Sequence, residues 1–125
     1  MLNKSRYSLK LVWDDATFVD YNSSVSKIMH KGVKYSEREA SQPSSTILRG
    51  AVLDDVAIPT HNIEYSKLLK DWFVSSMYPD IQINESKQVQ LMLPIQIKDV
   101  VNEYVFVFEI KRVFAHPELL RLTYE

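Results

Sequence analysis

The chain has 125 residues, a formal net charge of −1 and no cysteine. That length suits one compact domain, and the near-neutral charge excludes a general field drawing in nucleic acid or anionic lipid. The missing cysteines exclude disulfides, thiolate nucleophiles and cysteine metal sites, and two glycines (Gly32 and Gly50) cannot build a phosphate-cradling glycine-rich loop.

No run approaches the ~20 apolar residues of a membrane span, and Met1 to Trp13 lacks the apolar core of a signal peptide. The sequence therefore predicts a cytoplasmic protein, or one of the host cytoplasm if viral, with no membrane partner. Nucleic acid is an unfavoured partner for the same electrostatic reason.

Tyr7, Leu9, Leu11 and Trp13 alternate with Ser8, Lys10, Val12 and Asp14, which predicts a first strand. Asp14-Asp15 supplies a turn, and Thr17 to Tyr21 a second strand, so that the two form a hairpin. Asn22 to Ser24 opens either a short helix over Val25, Ile28 and Met29 or a loop. Val33 to Tyr35 reads as a short strand. About residues 36–46 the chain is SEREASQPSST, an exposed loop without a large apolar side chain. Thr46 to Leu53 resumes strand character, Asp54-Asp55 breaks it, and Val56 to Pro59 continues it.

The periodicity then changes. Ile63, Tyr65, Leu68, Leu69, Trp72, Phe73 and Met77 recur at three- and four-residue intervals, which predicts an amphipathic helix over about 62–77. Thr60 or Asn62 would cap it and Pro79 would end it. Ile81 to Ile83 is a short extended piece.

From Gln88 to Phe114 the alternation is strict. Val89, Leu91, Leu93, Ile95 and Ile97 share one parity, and Tyr104, Phe106, Phe108, Ile110 and Phe114 share another. With Lys98 to Glu103 as the turn, Ile97 faces Tyr104, Leu93 faces Phe108 and Leu91 faces Ile110, placing the large apolar groups on one buried face. Pro94 lacks an N–H, which predicts an edge strand or a bulge there. After His116-Pro117, Glu118 to Tyr124 has room for two helical turns at most. These patterns add up to one α+β domain over 1–125. It would be a mostly antiparallel sheet of about five to seven strands with the 62–77 helix on one face.

The second face of the 88–114 hairpin carries Met92, Pro94, Val105, Val107 and Val113, a partly apolar set. Either the N-terminal strands cover it, the favoured expectation, or it forms the candidate partner-binding surface. Chemistry is sparser. His30, His61 and His116 stand alone, the two Asp doublets read as turns, and the Ser pairs lack a nucleophile elbow. No metal or cofactor is expected.

Pro79-Asp80 followed by Glu109-Ile110-Lys111 resembles the acidic motif of the PD-(D/E)xK nucleases. That resemblance implies that Asp80 and Glu109 hold a divalent metal while Lys111 serves the attacking water. The predicted register sets Met92 opposite Glu109 and leaves Asp80 two strands away, ~9–10 Å, too far for one ion to bridge. Tyr7 to Asn22 and Glu103 to Phe114 resemble strands of the SecB-type export chaperones, which implies a holdase. A helix ending at Tyr78-Pro79 and followed by two long strands is similar to small tail and baseplate proteins of phages, which implies an assembly role. The leading expectation is a non-catalytic protein-binding or assembly subunit, such as a small viral or phage structural or adaptor protein. Its partner would be another protein or a second copy.

Overall fold

The computed structural model describes residues 1–76, 82 and 85–111. Among them the architecture is β throughout, with three short 3-10 turns at Trp13–Asp15, Tyr35–Glu37 and Thr60–Asn62. The strands are β1 (Leu9–Leu11), β2 (Thr17–Val19), β3 (Val25–His30), β4 (Ser45–Ile47), β5 (Ala57–Pro59), β6 (Ile63–Ser66), β7 (Asp71–Val74), β8 (Ser86–Ile97) and β9 (Val100–Lys111). Seven of them make one antiparallel sheet in the order β4-β1-β8-β2-β3-β5, with β9 on β8, and β6-β7 form a separate two-stranded sheet.

The expected α+β fold is therefore corrected: no helix covers 62–76, the described part of the expected 62–77 helix. Ile63 pairs with Val74, Glu64 with Phe73, Tyr65 with Trp72 and Ser66 with Asp71. Of the residues whose spacing suggested a helix, Ile63, Tyr65, Trp72 and Phe73 are aromatic or β-branched and gain cross-strand partners instead. Tyr65 meets Trp72 edge to face at 5.3 Å, and the Arg38 guanidinium lies 4.9 Å from the Trp72 ring centre. Asn62 does not cap a helix. Its amide bridges the hairpin base, donating to Ser75 Oγ (3.3 Å) and the Ser76 carbonyl (3.1 Å). Met77, the end of that expected helix, lies outside the described residues, as do Ile81, Ile83 and everything beyond Lys111.

β1 and β2 are not a hairpin either. They lie one after the other along β8, Leu11 against Ile95 and Thr17 against Met92, joined by the Trp13–Asp15 turn. Pro94 stands where the neighbour changes, and its carbonyl accepts from Val12 N–H (3.0 Å). A missing N–H at that junction interrupts no ladder, so proline is tolerated in a strand flanked on both sides, not the edge or bulge expected from sequence.

The core is small and sits on one face of the sheet: Leu11, Trp13, Ala16, Ile28 and Leu93, flanked by Phe18, Leu53, Ala57, Leu91 and Ile95. Polar side chains close the fold around it. Asn3 is fully buried, donating to the carbonyls of Tyr7 (2.7 Å) and Ile47 (2.8 Å) and accepting from Ser5 N–H and Oγ. All its hydrogen-bonding capacity is used. Gln42, between the Tyr35–Glu37 turn and β4, is also buried. Its amide donates to the Ile28 carbonyl (2.8 Å) and accepts from His30 N–H (3.2 Å), acting as a peptide group laid beside β3.

Candidate interaction surface

β8 and β9 join through the two-residue turn Lys98-Asp99, with Ile97 opposite Val100, rather than through the longer Lys98–Glu103 turn. Lys98 adopts a positive φ of 53° and Asp99 does not, the sign pattern of a II′ turn, which matches the twist of the strands. Lys98 Nζ also lies 4.2 Å from the Tyr7 ring centre. The register therefore differs by four residues from the expected one: Leu93 faces Tyr104, Leu91 faces Phe106 and Val89 faces Phe108. An even slip keeps every side chain on its face.

Burial is where the two strands part company. Val89 and Leu93 are buried, but Tyr104, Phe106 and Phe108 are 44%, 42% and 50% exposed. They share the core's face of the sheet yet extend past its margin. The alternate residues Val101, Val105 and Val107 are exposed on the other face. The alternation of β9 marks a strand, but every residue from Val100 to Glu109 is exposed.

The edge is open as well. The pair flanking a two-residue turn exchanges both its hydrogen bonds, and the pattern then alternates along the ladder. The N–H and C=O groups of Val100, Asn102, Tyr104, Phe106, Phe108 and Ile110 thus turn toward β8. Those of Val101, Glu103, Val105, Val107, Glu109 and Lys111 turn outward, and among the described residues no strand pairs with them. β9 spans twelve residues, against ~5–6 for a common strand.

Of the five partner-binding candidates, Met92 is half-buried opposite Val105, Pro94 is buried opposite Glu103, and Val105 and Val107 are exposed on β9. Val113 lies outside the described residues. Pro94 and Glu103 border an open cleft of about 580 Å³ that also meets Asp14, Lys27 and His61. Its charges are mixed, and Asp14 is already engaged by Ser41 Oγ (2.6 Å), Gln42 N–H (2.7 Å) and Lys27 Nζ (3.5 Å). The Ser41 and Gln42 hydrogen bonds hold its carboxyl below the ordinary aspartate value.

Of the nuclease candidates, Asp80 lies outside the described residues. Glu109 faces Gln88, not Met92, and pairs with Lys111 at 3.6 Å on the exposed edge. Among the described residues no three His, Asp or Glu side chains converge as metal ligands. No helix among them is long and apolar enough to cross a membrane.

Two features had little signal in the sequence. His30 is largely buried, stacked on Trp13 at 4.4 Å, with Nδ1 3.1 Å from Asp55 Oδ2. A separation of 25 positions hides this pair from any spacing rule. Leu68 and Leu69 stand 91% and 72% exposed at the tip of the β6-β7 hairpin, between Lys67 and Lys70. Comparison with family models, with curated proteins and with solved structures finds no match to this chain.

Proposed function

We propose that this chain is a non-catalytic protein-binding or assembly subunit that engages a protein by strand addition at β9. The supporting observation is a twelve-residue strand, largely apolar on one face and half apolar on the other, paired along one edge only among the described residues. Natural sheets blunt such edges with proline, charged side chains (lysine above all), bulges or brevity. β9 has no proline, its one lysine stands at its end, and the charges within it are Glu103 and Glu109. A strand from another chain would satisfy the outward main-chain groups and cover alternate side chains, the usual basis of affinity and specificity in β-augmentation. Glu103 and Glu109 make the same edge a poor surface for phosphates. A small structural or adaptor protein, viral or phage among them, is a natural setting.

Val107→Pro tests this, because Val107 turns its N–H outward and the β8-β9 ladder does not use it. The wild-type protein is expected to form a stoichiometric protein complex, seen by native mass and co-purification, that the variant loses while keeping its β-sheet circular dichroism. A wild-type chain with no stoichiometric protein partner, itself included, overturns the reading.

The Leu68-Leu69 tip favours a second reading, a holdase, since it adds an apolar surface outside β9. That reading requires suppressed aggregation of several unrelated unfolded clients at near-stoichiometric ratios. Protection of none of them rejects it.

A further inference from the structure

The outward edge of β9 carries three charges, and all three share one face of the strand: Glu103, Glu109 and Lys111. Antiparallel addition of a second β9 must join outward-facing residues to outward-facing residues, because only they have free main-chain groups. That leaves few registers. With Phe106 on a two-fold axis, Glu103 falls directly opposite Glu109 of the other copy, twice. With Val105 on the axis, Glu103 and Glu109 face valines and Lys111 comes opposite Asp99 in the turn, beyond the paired strand. With Tyr104 on the axis, Glu103 faces a valine while Glu109 and Lys111 come opposite Asp99 and Ile97, again beyond it. With Val107 on the axis, Glu103 falls opposite Lys111 of the other copy, twice. Phe106 then lies opposite Phe108, and Tyr104 opposite Ile110. Of the registers that pair nine or more residues per strand, this one alone opposes unlike charges within the paired strands.

We infer that the partner is a second copy of this chain, added edge to edge along β9 with Val107 on the two-fold axis. This rests on the proposal that β9 is a protein-binding edge, and it names the occupant. The interface is isologous, so the same strand supplies both sides and the assembly closes at two copies. The paired strands carry the sheet across the axis. Tyr104, Phe106 and Phe108 of both copies form one aromatic band on the core's face, and Val105 and Val107 form a valine band on the other.

Charge reversal gives a register-specific test by analytical ultracentrifugation of the full chain across a dilution series. The wild type should be dimeric. Lys111→Glu and Glu103→Lys should each turn two attractive pairs into repulsive ones, weakening dimerisation about tenfold at ~0.2–1 kcal/mol for each exposed pair. The double variant Glu103→Lys/Lys111→Glu should regain the wild-type dimer. Equimolar mixing of the two single variants should give a heterodimer, because each then offers the other's complement. Within one chain the two residues are eight apart along an extended strand, some ~27 Å at ~3.4 Å per residue, so rescue can only arise between copies.

Amide hydrogen exchange separates the ways of failing. Protection of the Val105, Val107 and Glu109 amides that disappears on dilution supports the dimer. A protein that is monomeric at every concentration, yet loses a different bound protein on Val107→Pro, overturns self-pairing and leaves the protein-binding edge standing. Monomers with those amides protected at every dilution mean the edge is covered within the chain, and both proposals fall. A dimer indifferent to Val107→Pro and to the charge variants places the interface elsewhere and overturns the inference.

Discussion

Asn3 shows how much of this fold hangs on single polar side chains. Its amide joins the Tyr7 and Ile47 carbonyls, while its backbone bonds Ala51 and Gly50, so one residue ties the first segment to the 47–51 turn. Asn3→Ala would leave the Ile47 carbonyl and the Ser5 N–H without their partner, while the Tyr7 carbonyl keeps the Ser5 hydroxyl at 2.8 Å. At ~1–3 kcal/mol per buried unsatisfied group, a loss of about 2–4 kcal/mol is expected in urea denaturation. Asp55 plays the matching part beside β3, accepting from Lys31 N–H (2.8 Å), Val56 N–H (2.7 Å) and the His30 ring. Burial pushes its carboxyl up, but the Lys31 and Val56 amides and His30 together outweigh this and hold it below the ordinary aspartate value. A carboxyl depressed in the folded state contributes stability above the unfolded value, ~3.9, and loses it as pH falls through the folded value. The urea midpoint should therefore be flat above about pH 5 as far as this group is concerned, and fall below about pH 4. In Asp55→Asn the midpoint at neutral pH should be lower and the acid fall shallower.

Among the strands, β8 and β9 have similar alternation and opposite fates. Leu93 is buried in the core and Phe108 is half-exposed beyond it. Leu93→Ala should cost about 2–5 kcal/mol, the range for truncating a core leucine. Phe108→Ala, measured at concentrations where the chain is monomeric, should cost less than Leu93→Ala, although phenylalanine is the larger side chain. The reverse order would show that β9 is covered in solution. Alternation reveals that a stretch is a strand and which residues share a face, and here it did so for the 88–111 hairpin despite a four-residue error in register. It does not reveal whether a second layer exists to cover that face, so Tyr104, Phe106 and Phe108 read as core. The 62–77 stretch failed differently. Three- and four-residue spacing is also what two short strands joined by Lys67–Lys70 produce, and pairing such as Tyr65 with Trp72 outweighed the local period. The buried roles of Gln42 and His30 depend on residues 12 to 28 positions away, and no local pattern marks them.

The sheet as a whole is knit from distant parts of the chain. β8 is its hinge piece, holding β1 and β2 on one side and β9 on the other. Lys10 waits for Gln96, 86 residues further on, whereas β9 meets β8 across a two-residue turn. Bringing such separated strands together must overcome loop-closure entropy before any pairing rewards it, which places folding in the millisecond-to-second range of sheet proteins. Stopped-flow refolding should show that range. A microsecond folder would contradict this topology. On a ribosome adding ~5–20 residues per second, about 4–17 s separate the appearance of Lys10 from that of Gln96. For that interval β1 and β2 are on the nascent chain with no central strand to join. The aliphatic residues destined for the core are then bare, and a newly made chain is the form of this protein that most needs a chaperone.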